Sequence, residues 1–187
     1  MSKIIPIALL QWAKHDWVST CIKESSMPLM SIINEDINKA VTSTGSTLLH
    51  LVTMNASKPS PSIACNVANI LLELGANPNA KDNYDRTPLT NLITQSSSVL
   101  HHNEEFGLMI LKDLIANDAD VNVLFTPDYI NYSGCDKWTL AHDLLDIHHG
   151  KSRWSLPESV LEIINEKIDF SIPDSTGRKP ISNKLSA

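Results

Sequence analysis

Three stretches of the chain share one pattern, and this self-similarity limits the possible folds more than any single motif does. Residues 45–52 read GSTLLHLV, 85–92 read DRTPLTNL and 136–144 read DKWTLAHDL. Each sets a threonine three residues ahead of a polar side chain, His50, Thr90 or His142, and runs on into apolar sequence. A second motif alternates with the first: LLELGANPNAKD at 71–82, DLIANDADVNV at 113–123 and EIINEKIDFSIPD at 162–174. A unit of this size cannot bury its own apolar face. Stacked neighbours can, so the pattern calls for an array with one continuous core.

Local chemistry supports helices at these places. Thr87 followed by Pro88 is a capping residue followed by proline at the first helical position, where the missing N–H is not needed. Ser60-Pro61 repeats the arrangement, and Ser155-x-x-Glu158 has the spacing of a capping box. Gly75 stands where a helix would end in a left-handed residue. Ile63, Val67, Ile70, Leu71 and Leu74 form a stripe at helical period, as do Phe106, Ile110 and Leu114, and again Val160, Leu161, Ile164 and Ile168. These stripes read as core packing.

Together the two motifs resemble those of ankyrin repeats. The family pattern runs roughly G-x-T-P-L-H-x-A and then L-L-x-x-G-A-D-V-N, with a period of about 33 residues. Thr87-Pro88-Leu89 and the run from Leu71 to Asn79 match it best. The resemblance implies an all-α solenoid of stacked antiparallel helix pairs with hairpin-like finger loops. It covers one domain, 1–187: a degenerate capping repeat at about 4–40, repeats at 41–82, 83–134 and 135–173, and a partial cap at 174–187. It also implies that His50 and His142 bond to Thr47 and Thr139 to support the turn, with Thr90 weakening that network in the middle repeat. The repeats depart from the family period, since Thr47, Thr87 and Thr139 lie 40 and 52 residues apart. The excess falls in NASKPSPS (55–62), QSSSVLHHN (95–103), FTPDYINYS (125–133) and HHGKSRWSLP (148–157).

Composition excludes several function classes. Apolar residues make up 42% of the chain, enough for a core, and the net charge of −6 without a basic stripe argues against nucleic acid as partner. Cys21, Cys65 and Cys135 are odd in number and widely spaced, as expected of reduced thiols rather than a disulfide or zinc scaffold. The segment IIPIALL (4–10) is too short to span a membrane. A cytoplasmic monomer is expected, in a host cytosol if the chain resembles the small irregular ankyrin proteins that intracellular bacteria deliver.

Chemistry-bearing residues concentrate in TLAHDLLDIHHG (139–150). His142, Asp143, Asp146, His148 and His149 form the alternative reading, a metal-dependent hydrolase-like site, although no recognised catalytic motif joins them. His101-His102 and His148-His149 keep open a zinc-binding or pH-sensitive patch. The leading expectation is a protein-binding module with no catalytic residue, metal or cofactor. Its contacts would come from the inner-helix face and from the finger loops. Tyr84 and Arg86 are expected at an exposed finger tip, and Phe125, Tyr129, Ile130, Tyr132 and Trp138 on or beside the enlarged loop, where aromatic anchors suit a partner surface. Self-association through the unfinished last repeat is a third reading. Trp12 and Trp17 are expected to pack in the amino-terminal cap.

Overall fold

The computed structural model describes residues 36–56, 60–94, 100, 103–126, 137–145 and 156–180. The expected amino-terminal repeat lies almost wholly outside them, with Trp12 and Trp17. So do His101, His102, Tyr129, Ile130, Tyr132, Asp146, His148 and His149.

The described chain is all-α. It comprises α1 (Leu48–Met54), α2 (Pro61–Glu73), α3 (Pro88–Thr94), α4 (Glu104–Ala116), α5 (Leu140–Leu145) and α6 (Glu158–Asn165). The only extended pairing among described residues is an isolated antiparallel bridge between Phe125 and Trp138. Helices α1 and α3 pack on each other, as do α2 and α4, while α1 also meets α2 and α3 meets α4. The core runs through this arrangement without a break, from Val41 and Leu48 through Leu71, Leu89, Leu92, Ile110 and Leu114 to Leu140, Val160 and Ile164.

The helix starts follow from the sequence, with one exception. Thr47 caps α1 in a reciprocal box: its hydroxyl accepts the His50 amide, and the His50 ring accepts the Thr47 amide. Thr87 and Thr90 close the same box on α3 with two hydroxyls. Proline opens α2 behind Ser60, although the Ser60 hydroxyl bonds to Ser62 at 2.9 Å instead of capping the helix. The exception is α6. It begins at Glu158 with Pro157 in the capping position, so the box expected from Ser155 does not start this helix. Proline in the capping position favours extended backbone before it and stops the helix from reaching back.

A series of asparagine bridges runs to the chain just beyond the ends of α2, α4 and α6. The Asn38 side chain donates to the Gly75 carbonyl (3.2 Å) and accepts the Asn77 amide (2.6 Å). Asn79 does the same to Asp118 and Asp120 (both 2.7 Å), and Asn122 to Lys167 (3.0 Å) and Asp169 (2.7 Å). Each bridge starts from a tight local turn. The amides of Asn38, Asn79, Asn122 and Ser171 donate to the side chain two residues earlier: Asp36, Asn77, Asp120 and Asp169. Gly75 (φ 92°) and Asp118 (φ 62°) occupy equivalent left-handed positions at the helix ends. The aspartate tolerates this conformation better than most side chains do.

Two glycines separate backbone conformation from space. Gly45 (φ +79°) and Gly177 (φ +87°) both lie in the left-handed region, but a Cβ on Gly45 would sit 2.5 Å from Asn83 Oδ1, whereas one on Gly177 meets nothing within 4 Å. Gly177→Ala is therefore expected to cost about 1–2 kcal/mol, the left-handed penalty alone. Gly45→Ala should cost clearly more, because it also displaces the neighbouring hairpin. Urea denaturation of the two variants checks the order.

Candidate interaction edge

Tight hairpins precede α1 and α3, and a third turn of the same form lies at 174–178. In each, one side chain organises the turn from within. Asp82 Oδ1 accepts the amides of Tyr84 (2.8 Å) and Arg86 (2.9 Å), while Oδ2 accepts Arg86 Nε at 3.1 Å. Asp174 repeats this with Thr176 (2.8 Å) and Arg178 (amide 3.0 Å, Nε 3.1 Å). In the first hairpin Thr42 Oγ1 accepts the Ser46 amide at 3.0 Å. The fourth residue of each turn has positive φ: Gly45, Asp85 and Gly177.

The hairpins are joined side by side through their backbones. The Asn83 amide donates to the Thr44 carbonyl (2.9 Å), Thr126 to Tyr84 (2.8 Å) and Ser175 to Lys137 (2.9 Å). Asp85 adds a charged link, since Lys137 Nζ lies 2.5 Å and Lys81 Nζ 3.6 Å from its carboxylate. The hydrogen bond from Lys137 holds the Asp85 carboxyl below the usual carboxylate range. The result is a continuous edge of turns along one side of the helices.

Of the residues expected to contact a partner, only Tyr84 is placed to do so among the described ones. Its side chain is 44% exposed. The Arg86 guanidinium sits 4.6 Å from the ring centroid and fixes one face of it. Arg86 itself is a correction to the expected exposed tip. It is buried, its side chain 8% exposed against a carboxylate that is 1% exposed. A charged turn residue four positions after an aspartate folds back on that carboxylate. Arg178 makes the same pair but keeps a side chain that is 57% exposed.

Phe125 and Trp138 are likewise buried, paired by two backbone hydrogen bonds at 3.0 and 3.1 Å, and belong to the core rather than to a contact surface. Exposure along the first-helix positions is uneven, with His142 and Asp143 of α5 partly exposed. On α1 every residue from Leu48 to Thr53 is buried, and on α3 every residue from Pro88 to Ile93. Burial extends to the polar His50, Thr53, Thr90 and Asn91, so these stretches present no exposed face. The buried Asn91 amide makes no hydrogen bond through either of its polar atoms.

The two described histidines, His50 and His142, are structural in geometry. His50 Nδ1 lies 3.2 Å from the Thr47 amide and 2.9 Å from its hydroxyl, and Nε2 lies 3.0 Å from the Arg86 carbonyl. His142 repeats these contacts with Thr139 (3.3 and 3.0 Å) and with the Arg178 carbonyl (3.0 Å). With both ring nitrogens engaged, neither imidazole offers a lone pair to a metal. Among the described residues no three histidine, cysteine or acidic side chains come together to hold one. Cys65 is buried, and burial raises its thiol above the ordinary value, so the thiolate is disfavoured.

Sequence reasoning missed the bridging role of Asn38, Asn79 and Asn122 and the organising role of Asp82 and Asp174. The signal for the second was present as a recurring Asp-x-x-x-Arg. No family model matches the chain, and no curated protein matches it.

The buried pair makes a direct test. Arg86→Ala leaves the Asp82 carboxylate buried without its counter-ion and should lower stability by about 3 kcal/mol. Tyr84→Ala should shift it by no more than about 0.5 kcal/mol, as surface changes do. Chemical denaturation of both variants measures the difference.

Proposed function

We propose that this chain is an ankyrin-repeat protein that recognises another protein, and that the hairpin edge around Tyr84 makes the contact. The repeated order of hairpin, capped first helix, second helix and asparagine bridge supports the family reading. No helix among the described residues is long and apolar enough to cross a membrane.

The observation that carries the choice of surface is the state of Tyr84. Its ring is exposed, yet the buried Arg86 holds it in place, and Arg86 is in turn held by Asp82. A tyrosine already fixed in position loses little freedom when a partner covers it, which favours binding. The neighbouring turns are locked to it through backbone bonds, so the edge presents a defined shape. Burial of α1 and α3 takes their faces out of the contact and leaves the edge.

Affinity capture with the full chain tests this. A partner retained by the wild type should bind Tyr84→Ala roughly 30-fold more weakly, the effect of losing one central aromatic contact of about 2 kcal/mol. The variant should melt at an unchanged temperature. Equal retention by a variant of unchanged melting would exclude this edge as the contact.

A further inference from the structure

His50 joins two units with a ring that can make both of its bonds only when neutral. It is fully buried. The Thr47 amide must donate to Nδ1, so the ring hydrogen resides on Nε2 and is donated to the Arg86 carbonyl, 36 residues further on. That carbonyl also accepts the Asp82 amide at 3.0 Å. The ring therefore ties the start of α1 to the base of the hairpin that carries Tyr84.

We propose that His50 is an acid-sensitive latch between the first described unit and the second, released when the ring takes a second proton. A proton on Nδ1 would be shared between the Thr47 hydroxyl oxygen, its one acceptor at 2.9 Å, and the opposing Thr47 N–H at 3.2 Å. That amide would lose its acceptor in a buried position, and the cap of α1 would open on the side that faces the hairpin.

The middle unit supplies an internal contrast. Thr90 stands where His50 and His142 stand, and its hydroxyl accepts the Thr87 amide at 2.8 Å and donates to the Thr87 carbonyl at 2.9 Å. It caps the helix equally well, does not titrate, and spends its one proton within its own turn. The cap alone therefore does not require histidine. What histidine adds is the reach to the next hairpin and the sensitivity to acid that comes with it.

The charged groups that act on the ring are those of the second hairpin, Asp82 and Arg86. They are paired with each other and act in opposite directions, Asp82 raising and Arg86 lowering the His50 value. Helices α1 and α3 carry no further ionisable side chain, and α2 carries Cys65 and Glu73, neither of which acts on the ring. Burial is the largest influence and lowers the His50 pKa from its ordinary 6.5, against the pull of the Arg86 carbonyl and Asp82. The sign follows. Above the ordinary value the ring is neutral whether the latch is closed or open, and the latch has its full stability. As pH falls below that value, the open state takes the proton first and the closed state becomes progressively less favoured.

Amide hydrogen exchange on the full chain, corrected for the intrinsic effect of pH, tests the latch, together with an NMR titration of the histidine rings. Between pH 7.5 and 5.5 the opening equilibrium at 47–52 and 82–87 should rise by up to about tenfold, with less change at 104–116. In His50→Thr, which copies the arrangement of Thr90, opening should be greater at pH 7.5 and no longer rise in acid. The His50 ring of the wild type should take its proton below the ordinary range. A ring that titrates in the ordinary range, opening that does not change with pH, or a rise that persists in His50→Thr would each overturn the proposal. The ring titration decides even if the variant fails to fold. None of these readouts involves a partner, so the result is independent of the function proposed above.

Discussion

The side-chain amides of Asn38, Asn79 and Asn122 each face two ways. One end completes a carbonyl left at the end of a helix in the next unit, and the other receives an amide two residues beyond it. The Gly75, Asp118 and Lys167 carbonyls lie at exposed helix ends, where a side chain or water must complete them, and each such bond made in place of water is worth about 0.5–1.5 kcal/mol. The bridges meet that need in the same way at every junction. They also fix how one unit sits on its neighbour, because the amide must reach both atoms at once.

At the opposite end of each unit the junctions are not uniform. His50 and His142 reach the following hairpin, and Thr90 does not. The middle junction relies instead on the Tyr84–Thr126 backbone bond, the Asp85–Lys137 ion pair and the buried Phe125–Trp138 bridge. That is where the enlarged insertion departs from the common pattern. The Thr126 bond repeats those of Asn83 and Ser175, whereas among the described residues the Asp85–Lys137 ion pair and the Phe125–Trp138 bridge are particular to this junction.

The helices were legible because their determinants are local. The stripe from Ile63 to Leu74 needs only a period, and the capping of Thr47 and Thr87 needs only residues three positions on. Thr139 and His142, read as a turn and its support rather than as chemistry, are of the same kind. Arg86 was misread because a charged residue in a turn is ordinarily solvated, and burial depends on what the neighbouring hairpins cover. The partner-contact role expected for Phe125 and Trp138 gives way to burial for a related reason. Those two residues find each other across twelve intervening positions, which no period reveals. The bridging asparagines were visible as letters of a motif, but their bonds cross about 40 residues and become evident only in three dimensions. Ser155 shows the limit of a short pattern. The spacing was right, and the proline at 157 moved the helix start beyond it.

The bonds of the structure fall into two ranges of sequence separation. Those that shape a hairpin span two to four residues, as from Asp82 to Tyr84 and Arg86. Many of those that join units span 36 to 47, as from His50 to Arg86 and from Asn122 to Asp169. A chain wired in this way can fold by neighbour-to-neighbour growth. A turn closes first on its own aspartate, and each completed unit becomes the template on which the next is laid. Any adjacent pair that forms early can serve as the nucleus, and order then spreads in both directions along the chain.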